Sequence, residues 1–202
     1  NGGLNDEAER SVGVFGRFKG AIVAVGAALG ITFVASKIKG FFSDAVSGAQ
    51  EFEEQLSTVK AVSGATAEDM DALRAAAEKM GAETKYTATE AAQGLENLAR
   101  AGLSARESIA ALPSVLALAQ GNSIELADAA SYITQAAAGM GLEMDEAARV
   151  ADVLAKAASS ANTDIQGMGL AMSYAAPTAH ALGLTLEETA AYIGKLADAG
   201  FD

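Results

Sequence analysis

Helix-start signals recur so often along this chain that they restrict its fold more than any other feature. Thr87-Ala-Thr-Glu90, Ser104-Ala-Arg-Glu107 and Thr185-Leu-Glu-Glu188 each place a hydroxyl three residues before a carboxylate. At that spacing the hydroxyl accepts from a free amide in the first helical turn, and the carboxylate reaches back to the amide of the cap residue. Thr163-Asp-Ile-Gln166 repeats the pattern with an amide, and Thr66-Ala-Glu-Asp69 is a weaker version. Stops are marked by Gly81, Gly102, Gly121, Gly141 and Gly183, because glycine enters the left-handed turn that ends a helix without a Cβ penalty. The spacing predicts helices over 49–62, 67–80, 88–101, 105–119, 124–139, 144–159, 164–175 and 186–199. Pro113 should kink its helix or delay its start, and Pro177 should end the helix over 164–175.

Composition agrees. Alanine occurs 48 times in a chain that is 50% hydrophobic and only 5% aromatic. A sandwich or barrel needs Val, Ile, Thr and aromatic residues, whereas alanine faces bring helices close together. The predicted class is all-α: short Ala-rich helices packed as helical hairpins, preceded by an apolar, Gly-rich helix. Gly102-Leu103-Ser104, Gly141-Leu142-Glu143 and Gly183-Leu184-Thr185 share one plan at separations of 39 and 42 residues. Leu98-Ala-Arg-Ala-Gly102 returns as Leu196-Ala-Asp-Ala-Gly200. Periods near 40 suggest stacked hairpins. Re-use of one cap chemistry by many short helices is the simpler reading, since the helix interiors match only loosely.

Charge divides the chain near Gly48. Residues 1–50 hold five basic and four acidic residues, and the remainder holds nine basic and twenty-two acidic. Two domains are expected: 1–48, an apolar Gly-rich helical segment, and 49–202, an acidic multi-helix region. Within the first, Gly20 to Ser36 is an uncharged run of seventeen residues bracketed by Lys19 and Lys37. Its length sits at the lower edge of what spans a hydrocarbon core of about 30 Å. Gly26 with Gly30, and Gly16 with Gly20, have the GxxxG spacing that lets helix backbones touch. The run reads either as a membrane-competent or self-associating helix, or as a helix buried in a large oligomer.

Several chemistries drop out. No cysteine is present, so disulfides, thiolate nucleophiles and Cys-ligated zinc are excluded. His180 is the one histidine and lacks a nucleophile elbow beside it. Glu53-Glu54 and Glu187-Glu188 are adjacent carboxylates, which point in different directions on a helix. Gly167-Met168-Gly169 lacks the lysine of a phosphate loop. No catalytic, cofactor-binding or metal-binding residues are assigned, and an enzyme is not expected. A net charge of −12 disfavours binding to phosphate backbones, so sequence-specific nucleic-acid binding is not expected. The chain starts Asn1-Gly2-Gly3 without Met and reads as an excerpt of a longer protein.

From Gln50 onward a family resemblance emerges. Phe52-Glu53, Val59 to Thr66 (VKAVSGAT), Met80 to Ala92 (MGAETKYTATEAA) and Leu98 to Ser104 (LARAGLS) follow one another in order. Leu116 to Ala119, the helix from Leu126, Val150 to Ala155, Asn162 to Asp164 and Gly183 to Ala190 continue the series. This ordered set, over about three quarters of the chain, resembles the core of phage tail tape measure proteins. The family pattern continues beyond Gly200 into small residues, so a C-terminal truncation is expected.

The resemblance implies a structural virion protein that fills the tail tube lumen, sets tail length during assembly and leaves ahead of the DNA at infection. It implies as partners the tail tube protein, tail assembly chaperones and tail-tip or baseplate proteins, with homo-oligomerisation and contact with the host membrane during ejection. It also implies residence in the phage tail lumen, and in the host cytoplasm during assembly. It supplies no catalytic residues. The rival reading is a membrane-perturbing or pore-forming helical protein at the host envelope. The interruptions every 15–20 residues argue against this portion being an extended ruler. A continuous helix of 202 residues would reach roughly 300 Å.

Overall fold

The computed structural model describes the backbone of residues 35–201 and the side chains of residues 47–201. Its helices are α1 (Ala35–Ser63), α2 (Ala67–Glu83), α3 (Ala88–Arg100), α4 (Ala105–Asn122), α5 (Leu126–Met140), α6 (Ala147–Ser160), α7 (Ile165–Ala181) and α8 (Leu186–Asp198). A turn of 3-10 helix, Met144–Glu146, leads into α6. Among the described residues there is no strand, and the all-α reading holds for them. Residues 20–34 of the apolar run, with Gly16, Gly20, Gly26 and Gly30, lie outside the described residues. No described helix is long and apolar enough to cross a membrane.

The caps explain most helix starts. Thr66 with Asp69, Thr87 with Glu90, Ser104 with Glu107 and Thr185 with Glu188 each make the reciprocal pair of bonds. At α7 the cap is Asp164, whose carboxylate accepts from the Gly167 amide at 2.8 Å, rather than Thr163. Gly102 and Gly183 follow their helices with φ of 92° and 80°, the left-handed turn that only glycine adopts freely.

Other boundaries differ from expectation, each for a packing reason. Helix α1 starts well before residue 49 and runs through Gly48, so the charge shift does not coincide with a helix end. Gly81 lies inside α2, where a Cβ would sit 2.6 Å from the Ala88 amide nitrogen. It is small to let the α2–α3 corner close, not to stop the helix. Gly121 is inside α4, and Ser123 takes the left-handed turn instead at φ 55°. Helix α4 passes through Pro113 rather than starting late. Pro113 is exposed, so water can meet the carbonyl that loses its amide partner. Pro177 does not end α7, which continues to Ala181. A Cβ on Gly139 of α5 would lie 3.2 Å from Pro177 Cδ, so the ring occupies space that the glycine leaves free.

The chain divides into two compact units, Asn1–Gly48 and Ala49–Asp202, and helices α2 to α8 lie wholly in the second. Within it α2 packs on α3 and α4, α3 on α4 and α5, and α4 on α5 and α6. The series goes on with α5 on α6 and α7, α6 on α7 and α8, and α7 on α8. Helices α2 to α6 thus each meet the next and the next but one, the contact logic of stacked helical pairs. Leu73, Leu95, Leu112, Ile133, Leu154 and Met172 are fully buried along the stack, with alanine filling between them.

Close approach is made at glycines in helix interiors. A Cβ on Gly139 would lie 2.7 Å from Ala176 Cβ, and one on Gly169 would lie 2.5 Å from the Tyr132 ring. Gly94 faces Leu112 and Gly194 faces Ala161 in the same manner. None of these four is read from the sequence as a point of close helix approach, although an isolated glycine inside a helical pattern is a signal of this kind.

Four outcomes follow from these features. Gly139→Ala should lower stability by about 1–3 kcal/mol, because neither Ala176 nor the proline ring can yield. Gly121→Ala meets open space in a helix and should raise stability by up to about 1 kcal/mol; paired thermal melts read both. Ser104→Ala should cost about 1 kcal/mol by removing the α4 cap. Hydrogen bonds from Thr66, Ser104 and Thr185 hold Asp69, Glu107 and Glu188 below their ordinary carboxylate values. Depressed carboxylates stabilise above their unfolded values and cease to as pH falls through their folded ones. Urea midpoints should therefore be flat near neutrality and decline as pH drops below about 4.

Candidate interaction surfaces

The predicted turn residues sit at two separate corners of the stack. Gly102, Ser104 and Glu107 form the α3–α4 corner, and Gly183, Thr185 and Glu188 form the α7–α8 corner. The α5–α6 corner joins the first: Gly102, Leu103 and Glu107 share a recess of 210 Å³ with Leu142, Glu143 and Met144. Arg149 joins the second, bonding Glu146 beside the α5–α6 corner and both oxygens of Glu187 in α8. The repeated glycine turns, separated by 39 and 42 residues, are therefore neighbours along one edge of the stack.

Polar clamps tie adjacent and next-but-one helices on the outside. Arg149 holds Glu187 below the ordinary carboxylate range, and Glu187 with Glu146 raises the arginine. Arg74 of α2 makes two bonds of 2.6 and 2.7 Å to Glu53 of α1 and lies over the Phe52 ring. Its hydrogen bonds hold Glu53 below the ordinary value. Gln55 of α1 donates to Glu96 of α3 at 2.6 Å, and Arg100 bonds the same carboxylate. With Leu56 and Val59 buried, these bonds seat the end of α1 on the stack. Being solvent-exposed, such ion pairs orient helices more than they stabilise them.

Several of the residues considered for chemistry have structural roles. Glu187 pairs with Arg149 while Glu188 caps α8, so the adjacent carboxylates serve different ends. Gly167-Met168-Gly169 is the first turn of α7, with Met168 fully buried. His180 is exposed, its ring 3.0 Å from where a Gly141 Cβ would be. Among the described residues no cluster of His, Asp and Glu could hold a metal ion.

What stands out is an apolar surface at one end. Leu170 and Tyr174 of α7, Leu182 after it, Tyr192 and Leu196 of α8, and Phe201 are the large apolar side chains left exposed among the described residues. A groove of about 780 Å³ runs between α7 and α8, lined by Leu170, Tyr174, Ile193, Leu196 and Phe201. Exposed apolar area this concentrated marks an interaction surface. A second groove of about 530 Å³ lies between α6 and α8 and is rimmed by Asp152, Lys156, Lys195 and Asp198.

Residues 74–202 match the family model described as phage-related minor tail protein. The tape measure protein of Pneumococcus phage Dp-1 is 42% identical over 169 residues, covering 84% of this chain and 15% of that protein. The probable tape measure protein of Escherichia phage P2 is 32% identical over 151 residues, covering 74% of this chain and 18% of that protein. The chain therefore spans under a fifth of the length of either relative. No solved structure matches it. With the family model covering more than half of its residues, this chain belongs to the phage-related minor tail protein family.

Proposed function

We propose that this chain is part of a tape measure protein that occupies the lumen of a phage tail, takes part in setting its length during assembly, and leaves ahead of the DNA at infection. The observation that carries the reading is the 42% identity to a protein named as a tape measure protein, running over 84% of the chain. The character of the stack supports it. Alanine-rich helices that approach closely at Gly94, Gly139, Gly169 and Gly194 pack at short separations, which suits a confined space. A net charge of −12 keeps such a body from adhering to the DNA that follows it. Partners on this reading are the tail tube protein, assembly chaperones and tip or baseplate proteins, with copies of the chain side by side. The role is structural, and no residue is assigned to catalysis.

The stack also bears on which part of such a protein would act as a ruler. Helices of 13 to 18 residues folded back on one another, as α2 to α8 are, gain little length per residue. An in-frame duplication of residues 105–182 in the phage should leave tail length nearly unchanged in electron micrographs. The same residues as one continuous helix would add about 120 Å. Interrupting the reading frame should abolish tails of defined length. A normal length distribution without the protein would overturn the tape measure reading, whereas a 120 Å increase on duplication would overturn only the placement of the ruler elsewhere.

A further inference from the structure

We propose that α8 is a hinged strap: it leaves its seat on α6 and α7 as one unit, turning between Leu184 and Thr185, while α2 to α7 stay folded. Three observations carry this, and none of them depends on the tape measure reading.

The first is the size of the side chains that seat the helix. Leu186, the first residue of α8, is its one large apolar side chain that is fully covered. After it the buried positions are Thr189, Ala190, Gly194 and Ala197. By contrast α4 buries Leu112, Val115 and Leu116, and α7 buries Ile165, Met168 and Met172. Apolar area removed from water supplies most of what holds a helix in place, so α8 is held more weakly than either. Its larger apolar residues remain outside, with Tyr192 59% and Leu196 54% exposed. A helix with small residues inward and large apolar ones outward has two faces to bury, the makings of a two-state element.

The second is the packing around the seat. The groove of about 530 Å³ opens where Val153, Ala157 and Ala161 face Ala190, Ala191 and Gly194, and the groove of about 780 Å³ opens on the α7 side. Side chains across such openings forgo the dispersion contacts of a filled interface. Polar ties close the two ends instead. Arg149 donates to both oxygens of Glu187 at 2.7 and 2.9 Å, and the Asn162 amide donates to Asp198 at 2.8 Å. These bonds are exposed, where water readily takes the place of a lost partner.

The third is the turn between α7 and α8, in which each helix is terminated by bonds on its own side. The Leu184 amide donates to the Ala179 carbonyl at 3.0 Å and closes α7, whereas Thr185 and Glu188 exchange the bonds that cap α8. The buried Thr189 hydroxyl donates to the Thr185 carbonyl at 2.7 Å, within α8 itself. Rotation between Leu184 and Thr185 therefore breaks no capping bond and strands no buried hydroxyl. On the outside of the corner Gly183 faces open space and Leu182 is 74% exposed.

The test uses the whole chain, which has no cysteine, and ties α8 down with one introduced disulfide. A Cβ on Gly194 would lie 3.1 Å from the Ala161 Cβ, a few tenths of an ångström short of the usual spacing in a disulfide. Ala161→Cys with Gly194→Cys is therefore the pair to bridge. In the unaltered chain the amides of 190–197 should share one level of protection in NMR hydrogen exchange, at least about tenfold below that of 112–119 in α4. Oxidising the cysteine pair should slow the α8 amides at least about tenfold and leave α4 unchanged. Reduction should restore fast exchange, which separates the bridge from any cost of the substitutions. Glu187→Gln, which weakens one tie, should speed exchange in α8 alone. Three results overturn the proposal: α8 amides as protected as those of α4, exchange that climbs steadily toward Ala197 as in a frayed end, or an oxidised pair that leaves α8 as fast as the reduced one.

Discussion

Everything in the described stack depends on helix backbones coming close together. Alanine faces allow it generally, and glycine allows it where a methyl group would collide, as at Gly139 against Ala176 and Gly169 against the Tyr132 ring. Close approach has a consequence for stability. An alanine buries far less apolar area than a leucine, so each contact contributes little of the hydrophobic free energy. The chain compensates with many contacts and with firmly terminated helices. Four reciprocal capping boxes among the described residues satisfy amides that short helices would otherwise leave open in large number.

Short helices also make the packing sequential. A helix of 13 to 18 residues has room for few neighbours, and here they are the adjacent and next-but-one helices. That arrangement turns a chain into a stack of pairs, each pair covering the apolar face of the one before. It explains why the glycine turns near residues 102, 141 and 183 share an edge, and why an end of the stack presents Tyr174, Leu196 and Phe201 to solvent. The charged groups are on the outside, where Arg149 and Arg74 bridge carboxylates of different helices.

Helix starts and most stops were legible in the sequence because their chemistry is local. A hydroxyl at Ser104 and a carboxylate at Glu107 need no partner outside their own turn, nor does the left-handed Gly183. The class of fold was equally legible, because alanine-rich, capped and aromatic-poor segments have no stable alternative to helix. Family membership was readable from the order of segments between Phe52 and Ala190, which no single motif carried.

The roles of residues whose local chemistry is ambiguous were decided only in three dimensions. Gly81, Gly121 and Gly183 look alike in sequence, yet one closes a corner, one is a helical residue in open space and one ends a helix. Pro177 reads as a terminator, and the absence of a side chain on Gly139, 38 residues earlier, makes room for its ring inside α7. Likewise Glu187 and Glu188 are adjacent and alike, but only the fold places Arg149 beside the first. Caps and propensities act over four residues, whereas the fit of one helix against another depends on residues forty positions away, and only packing brings those together.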